Sequence, residues 1–129
     1  MQNTKLVLII DDEPVIAWLL ASAFRDRGHG VEIATNGMDG LAQARRHPPD
    51  AVVLDVMMPE MDGFSVLEAL RSDPNTAAIP VLLMSAAFEP SYRQRADQQG
   101  GVFIEKPFDW AKLVRTVESM LFSGDPAAA

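Results

Sequence analysis

The sequence contains no cysteine, which excludes disulfide bonds, zinc sites built from thiolates, and catalysis by a thiol nucleophile. A chain without cysteine fits a reducing compartment, so we expect a cytoplasmic location. Long apolar runs are also missing near the N-terminus, where Leu6–Ile10 is the only apolar stretch before Asp11. Such a short stretch is neither a signal peptide nor a membrane-spanning helix.

Basic residues are scarce relative to acidic ones. Eleven Lys and Arg stand against 18 Asp and Glu, which gives a net charge of −7. A nucleic-acid surface needs a basic face to neutralise phosphates, and an anionic membrane attracts basic segments. We therefore expect no nucleic-acid partner and no membrane partner. At 129 residues, with 48% hydrophobic and 22% charged residues, the chain has the size and composition of one globular domain.

Short apolar runs alternate with helical periodicity along the chain. The runs predicted to be strands are Leu6–Ile10, Val31–Ala34, Ala51–Leu54, Val81–Met84 and Val102–Glu105. Uniformly apolar strands are typical of a parallel sheet covered on both faces. The alternation predicts an α/β fold, a flavodoxin-like five-stranded parallel sheet in the order 2-1-3-4-5 with five surrounding helices.

Helix boundaries are indicated by capping and breaking residues. Those predicted to start or cap helices are Pro14, Asn36, Asp62 and Asp109. Gly28 and Gly30 are predicted to end the first helix. The fourth helix, Glu89–Gln99, has unusually few apolar residues and should be among the least stable elements. We expect the domain to span residues 1–122, with 123–129 as a flexible tail or linker stub.

Polar residues follow four of the predicted strands. They are Asp11-Asp12, Asp55, Ser85 and Lys106-Pro107. In an open parallel sheet the carboxyl ends of the strands line the ligand crevice, so three carboxylates, a hydroxyl and an ammonium should meet there. Clustered carboxylates stay ionised only around a cation, and Mg²⁺ prefers such hard oxygen ligands. The pattern predicts a magnesium-dependent phosphoryl-transfer site with Asp55 as nucleophile and Lys106 and Ser85 contacting phosphoryl oxygens.

The chain resembles the receiver domains of response regulators in two-component signalling. The similarity covers about residues 5–122 and is carried by the stretches LVLIIDDEP, DAVVLDVMMPEMDGF, IPVLLMSA and FIEKPF. The resemblance implies one role for each matching residue. Asp11, Asp12, Asp55 and the backbone carbonyl of Met57 would bind Mg²⁺, Asp55 would be the phosphoacceptor, Ser85 the switch hydroxyl, Phe103 the switch aromatic, and Lys106 the phosphate-contacting lysine.

The resemblance also implies partners and local geometry. A histidine kinase or a histidine phosphotransfer protein would donate the phosphoryl group. A downstream protein would bind the Glu89–Gln99 helix, the fifth strand and the last helix, and the chain would be a monomer or a weak dimer. The Lys106–Pro107 peptide is expected to be cis. One departure from the family pattern is the turn at residues 99–102, which is one residue shorter and alters the expected shape of the partner-facing surface.

Two other functions compete with the phosphoacceptor switch. An aspartate-nucleophile phosphatase needs a general acid, typically a second Asp two residues after the nucleophile, and Met57 occupies that position. A pseudo-receiver would bind partners without phosphate, which the complete acidic set and Lys106 disfavour. We therefore predict a signalling phosphoacceptor and not an enzyme, beyond weak self-phosphorylation from small phosphodonors and self-dephosphorylation.

Several residues outside this set have ordinary structural interpretations. Phe103 is either the switch aromatic or simple strand packing. Three residues of the fourth helix are predicted to form a solvated face, with partner contacts as the alternative; they are Tyr92, Arg93 and Arg95. His29 and His47 lie next to Gly or Pro and are predicted to be loop histidines.

Overall fold

The computed structural model describes residues 5–87, 89–106 and 109–123. The five strands are β1 (Leu6–Ile10), β2 (Gly30–Ala34), β3 (Ala51–Asp55), β4 (Val81–Ser85) and β5 (Val102–Glu105). The five helices are α1 (Pro14–Asp26), α2 (Gly37–Arg46), α3 (Gly63–Ser72), α4 (Pro90–Gln98) and α5 (Trp110–Ser123). All four strand pairings are parallel and the sheet order is β2-β1-β3-β4-β5, so the predicted α/β architecture is confirmed.

Two apolar layers lie on opposite faces of the sheet. Successive strand residues point to opposite faces, and β1 follows this rule. Leu8 and Ile10 belong to the core beneath α2, α3 and α4, whereas Val7 and Ile9 belong to the core beneath α1 and α5. The central strand β3 is buried along its whole length. Burial on both faces explains why the strands are uniformly apolar rather than alternating.

The predicted helix caps are confirmed. The Asn36 side chain accepts a hydrogen bond from the backbone N–H of Asp39, and the Asp62 side chain accepts one from Ser65. Asp109 Oδ1 accepts a bond from the N–H of Ala111 at 2.9 Å. A cap satisfies a backbone donor that the first turn of a helix leaves free. Each of these three caps directly follows a strand or the loop leaving it, so the caps fix where the chain turns back over the sheet.

The boundary between α1 and β2 differs from the prediction. The helix ends at Asp26, and Gly28 adopts a left-handed φ of 87°. Gly30 is not a helix terminator, because its N–H donates to the carbonyl of Lys5 at 2.9 Å and it pairs with Leu6 as the first residue of β2. A glycine has no strand propensity of its own, so only the pairing with β1 reveals this strand start.

The loop after β3 is closely packed against the strand end. A Cβ at Gly63 would lie 2.5 Å from the carbonyl oxygen of Asp55 and 2.8 Å from the Cα of Val56. The N–H of Gly63 also donates to the carbonyl of Val56 at 3.0 Å. A side chain at residue 63 would therefore push the loop away from Asp55.

Two predictions concern parts of the chain that lie outside the described residues. The cis peptide at Lys106–Pro107 involves Pro107, and the predicted tail falls almost entirely at 124–129. Among the helices that are described, none is long and apolar enough to cross a membrane.

Candidate functional site

The acidic residues predicted to form a site come together at the carboxyl ends of β1 and β3. These strands are neighbours, with Ile10 paired to Leu54, so the residues that follow lie side by side. One carboxylate oxygen from each of Asp11, Asp12 and Asp55 lies within 4.8 Å of the others. Asp11 is 0% exposed and Asp55 is 2% exposed. Three carboxylates are thus concentrated at the switch point of the sheet, with two of them shielded from solvent.

Two buried carboxylate oxygens in this cluster have no hydrogen-bond partner in the described structure. Asp11 Oδ1 accepts a bond from the N–H of Glu13 at 2.9 Å, but Asp11 Oδ2 and Asp55 Oδ1 accept none. Buried carboxylate oxygens without partners are costly. Because both oxygens face the same acidic cluster, they fit the ligand set of a hard divalent cation such as Mg²⁺.

The pKa values of the two buried carboxyls are both raised, chiefly because burial disfavours the charged form. Burial, followed by the charge of Asp11, raises the pKa of Asp55 from 3.8 to about 6, against the opposing effects of Lys106 and a backbone N–H of Met57. Burial also raises the pKa of Asp11, partly offset by the N–H of Glu13 and by Lys106. The site therefore resists holding all of its negative charge unless more positive charge is added.

Lys106 supplies one positive charge beside the cluster. Its Nζ lies 3.6 Å from Asp55 Oδ1 and 3.9 Å from Asp11 Oδ2. Both distances are too long for hydrogen bonds, so the ammonium attracts the carboxylates without satisfying them. The backbone N–H of Lys106 donates to the carbonyl of Ser85 at 2.7 Å, which ties the end of β5 to the end of β4. The lysine is thereby aimed along the same edge of the sheet as the acids.

Ser85 and Met57 flank the site. Ser85 is fully buried as the last residue of β4, and its Oγ accepts a hydrogen bond from the N–H of Ala87 at 3.1 Å. Met57 is the second residue after Asp55, and its backbone N–H acts to lower the pKa of that carboxyl. Its side chain is 55% exposed. The structure thus places a buried hydroxyl at the end of β4 and an exposed thioether in the loop after β3.

Phe103 lies in the core beneath α4 and is 5% exposed. Its ring contacts Tyr92 with centroids 5.8 Å apart, and Tyr92 contacts Phe64 at 5.3 Å. Arg93 and Arg95 lie over the outer two rings, with guanidinium carbons 5.6 Å from the Phe103 centroid and 4.0 Å from the Phe64 centroid. We call Phe64, Tyr92 and Phe103 the aromatic column. It connects the start of α3, beside the acidic cluster, with β5.

The prediction of a solvated face for α4 was therefore wrong at Tyr92. Arg93 and Arg95 are exposed, as expected, but Tyr92 is half-buried. A single tyrosine in a helix with few apolar residues was a usable signal, since α4 has only Ala96 besides Tyr92 to pack against the sheet. Aromatic pairs of this geometry add about 0.5–1.5 kcal/mol beyond area burial.

Sequence reasoning missed Arg71 altogether. Its guanidinium donates to the carbonyls of Ala77 and Ile79 before β4, and to those of Gln99 and Gly100 after α4, at 2.6–3.4 Å. Burial lowers the pKa of Arg71. Gly100 has a left-handed φ of 69° in the shortened turn, so Arg71 holds that turn in place. No sequence signal pointed to this side chain, because all four carbonyls belong to other segments.

His29 lies in the loop between α1 and β2, as predicted, but its environment was not predicted. The ring is buried, and its Nε2 lies 2.9 Å from Glu118 Oε2 on α5. Arg27 binds the other oxygen of Glu118 at 2.9 Å, and these contacts lower the pKa of Glu118. The cluster lies at the end of the sheet opposite to Asp55, because it follows α1 and precedes β2. His47 is exposed, as predicted, and lies 3.2 Å from Glu32.

The parallel sheet in the order 2-1-3-4-5, with a carboxylate cluster and a lysine at its switch point, defines the class of CheY-like signalling domains. The family model described as "Response regulator receiver domain" matches residues 7–118 of this chain. The chain therefore belongs to the response regulator receiver domain family.

Individual relatives agree with this assignment. Protein PilH of Pseudomonas aeruginosa is 34% identical over 116 residues, which cover 89% of this chain and 96% of PilH. A putative response regulator from Chloroflexus aurantiacus superposes with a TM-score of 0.85 at 30% identity, covering 92% of this chain and 98% of that one. The receiver domain of sensor histidine kinase PA1611 from Pseudomonas aeruginosa superposes with a TM-score of 0.82 at 25% identity, covering 92% and 98%, and carries a magnesium ion in its active site cleft.

Proposed function

We propose that this receiver domain is a phosphoacceptor switch that carries a phosphoryl group on Asp55. The observation that carries the proposal is the pair of buried carboxylate oxygens without partners, Asp11 Oδ2 and Asp55 Oδ1, beside the Lys106 ammonium. Acidic residues with a purely structural role at a strand end would accept hydrogen bonds or contact water. Asp11 Oδ2 and Asp55 Oδ1 do neither, so they require an added cation. An incoming phosphoryl group brings further negative charge to the same place. A cation bound there would therefore neutralise both the carboxylates and the phosphoryl oxygens.

The proposed donor is a phosphohistidine of a histidine kinase or a histidine phosphotransfer protein. An Asp55 carboxylate oxygen attacks phosphorus, the N–P bond breaks, and the bonding electrons return to the imidazole, which takes up a proton. Asp11, Asp12, Asp55 and the Met57 carbonyl would hold Mg²⁺. When bound, Mg²⁺ supplies the charge that cancels carboxylate repulsion and neutralises phosphoryl oxygens. The magnesium ion in the PA1611 receiver domain supports this ligand choice.

The other side chains of the site have positioning roles in this proposal. Lys106 would contact a second phosphoryl oxygen, and the Ser85 hydroxyl would turn from Ala87 toward a third. A switch aromatic would rotate inward when the hydroxyl moves, and in this structure the Phe103 ring is already buried on β5, the strand next to β4. Since Phe103 contacts Tyr92, the change would be transmitted to α4, which has little apolar burial of its own.

The proposed readout surface is the face formed by α4, β5 and α5. A groove of about 500 Å³ runs along this face, with charged side chains of both signs around the exposed part of β5. Its lining includes Arg93, Phe103, Glu105 and Lys112. Phosphorylation and a downstream protein would bias the same equilibrium, so each would strengthen the binding of the other. A cytoplasmic location and a monomeric or weakly dimeric state remain predictions.

The phosphatase alternative is weaker because Met57, two residues after the nucleophile, cannot act as a general acid. The proposed activity is therefore limited to weak self-phosphorylation and self-dephosphorylation.

The test is labelling of the purified protein by acetyl phosphate, with Mg²⁺ or with EDTA, for the wild type and Lys106→Met. We expect Mg²⁺-dependent incorporation of one phosphoryl group and slower labelling of the variant. Equal labelling in EDTA, or release of inorganic phosphate over many turnovers without a phosphoprotein, would contradict the proposal.

A further inference from the structure

Strand β5 lies at one edge of the sheet and, among the described strands, pairs only with β4. The N–H of Lys106 donates to the carbonyl of Ser85 on β4. Successive residues of a strand direct their backbone groups to alternate sides. Ile104 therefore also faces β4, whereas Phe103 and Glu105 direct their N–H and carbonyl groups to the open edge. Within the described residues no acceptor bonds to the N–H of Phe103 or of Glu105, so this edge is a template for another strand.

The Arg93 side chain covers part of this edge. Its Nη1 donates to the carbonyl of Phe103 at 3.4 Å, and its guanidinium carbon lies 5.6 Å from the centre of the Phe103 ring. The hydrogen bond is long and therefore weak, but it occupies a carbonyl that an added strand would use. Arg93 is exposed on α4, a helix with little apolar burial, so the cover is readily removed.

The open edge of β5 is bounded by helices on both sides. A groove of about 500 Å³ is lined by the whole of β5, by Arg93 of α4, and by Asp109, Lys112 and Thr116 at the start of and along α5. A single extended chain of four residues, about 13 Å long, could lie along this edge. A second copy of the domain could not present its own β5 in the same way, because that strand lies between its own α4 and α5. The shape therefore favours a peptide segment of another protein.

The side chains around the groove define the chemistry of that segment. Val102 and Ile104 are partly buried on the α5 side of the sheet, so an apolar side chain beside them would be shielded from water. Glu105 and Asp109 are exposed carboxylates near the carboxyl end of β5, whereas Lys112 lies about one turn further along α5. Negative charge is thus concentrated at that end, where it would attract a basic side chain. The complementary segment carries an apolar residue and, toward Glu105, a basic residue.

We propose that a downstream protein binds through such a segment, which pairs with β5 as a sixth strand and displaces Arg93 from the Phe103 carbonyl. This inference rests on the proposed function, because it assigns a binding mode to the proposed readout surface. Main-chain hydrogen bonds to Phe103 and Glu105 supply the affinity, and the flanking side chains supply the specificity. A movement of α4 on phosphorylation would carry Arg93 away from the edge, so phosphorylation favours binding.

The experiment measures backbone amide hydrogen exchange by NMR in the full chain, kept phosphorylated with acetyl phosphate and Mg²⁺. The probe is a peptide selected on this form from a phage-displayed library of random peptides. We expect the peptide to slow exchange of the Phe103 and Glu105 amides at least about tenfold and to leave the Ile104 amide, which faces β4, unchanged. N-methylation of alternate peptide residues should weaken binding about two- to tenfold for each lost hydrogen bond, and N-methylation of the residues between them should not.

The cover is tested with Arg93→Ala. Its matched control is Arg115→Ala, a change at an exposed arginine of α5 that does not line the groove. Removing the cover should raise the affinity of the unphosphorylated chain for the peptide about two- to tenfold, and the control should leave it unchanged. The selection is repeated on unphosphorylated Arg93→Ala, whose edge is open without a phosphoryl group.

Three outcomes would overturn the inference while leaving the proposed function intact. They are selected peptides that fail to protect the Phe103 and Glu105 amides, an affinity that Arg93→Ala does not raise, and protection that grows with protein concentration when no peptide is present. In the last case a second copy of the chain would be the occupant. Absence of labelling at Asp55 would overturn the proposed function, whereas the edge amides of Arg93→Ala would still report whether a peptide adds to β5.

Discussion

Replacing Asp55 with Asn should make the protein more stable when magnesium is absent, because the variant removes a buried charge that its surroundings disfavour. The pKa of Asp55 is raised from 3.8 to about 6 in the folded state, mainly by burial and by the charge of Asp11. The folded state therefore binds a proton more tightly than the unfolded state does. Any stability that Asp55 contributes is complete below about pH 4 and is lost as the pH rises through about 6.

The difference between 3.8 and about 6 sets the size of the effect. At about 1.36 kcal/mol per pKa unit, ionised Asp55 costs at most about 3 kcal/mol of folding free energy above pH 7. Asn has nearly the same shape and does not ionise. The advantage of Asp55→Asn over the wild type should therefore grow by about 1 kcal/mol between about pH 5 and pH 8. Linkage from groups outside the acidic cluster cancels in this comparison.

The assay is urea unfolding in EDTA across that pH range, with Glu68→Gln as the matched control. Glu68 is an exposed carboxylate on α3, so its amide variant should track the wild type. Adding Mg²⁺ should then stabilise the wild type more than Asp55→Asn, since ligand binding to the folded state adds stability. A variant no more stable than the wild type at pH 8, or an advantage that does not change with pH, would refute the reasoning about the acidic cluster.

Three further predictions address the rest of the site. Met57→Asn and Ala87→Glu should each speed self-dephosphorylation severalfold, because each places a polar group beside the attacking water; unchanged decay in both would contradict our account of the lifetime. Ser85→Ala should weaken the effect of phosphorylation on partner binding, measured by calorimetry; full phosphate dependence in the variant would contradict the switch account. Arg71→Met should lower the free energy of unfolding by about 2–4 kcal/mol by removing the donor for four carbonyls. Arg115→Met, a change at an exposed residue of α5, serves as the control. Equal stability of the two variants would show that the turn at residues 99–102 does not depend on Arg71.

The sheet could be predicted because its strands are marked by local composition. A strand buried on both faces must be apolar throughout, so each run in the sequence marked a strand to within a residue or so of its ends. The acidic cluster was predictable for a related reason. Parallel strands end at one edge, so Asp12 and Asp55 were expected to be neighbours once the order 2-1-3-4-5 was assumed. Asp62 and Asn36 were predictable as caps because a cap bonds to backbone only three residues ahead.

The residues that could not be predicted act across long sequence separations. Arg71 bonds to carbonyls up to 29 residues away, and His29 meets Glu118 across 89 residues. Neither contact leaves a local pattern, because the partners of Arg71 are backbone carbonyls and the partner of His29 is a single glutamate on α5. Tyr92 could be predicted only in part. Its burial was indicated because its helix has little else to bury, but its neighbours Phe64 and Phe103 come from two other elements and left no local signal.

Phosphorylation of Asp55 is tested most directly by identifying the modified residue chemically. The protein is treated with acetyl phosphate and Mg²⁺, the acyl phosphate is reduced with borohydride, and the peptides are sequenced by mass spectrometry. If Asp55 receives the phosphoryl group, homoserine replaces aspartate at position 55, Asp11 and Asp12 are not converted, and Asp55→Asn remains unlabelled. Conversion at another aspartate in the wild type, or efficient labelling of Asp55→Asn, would contradict phosphorylation at Asp55.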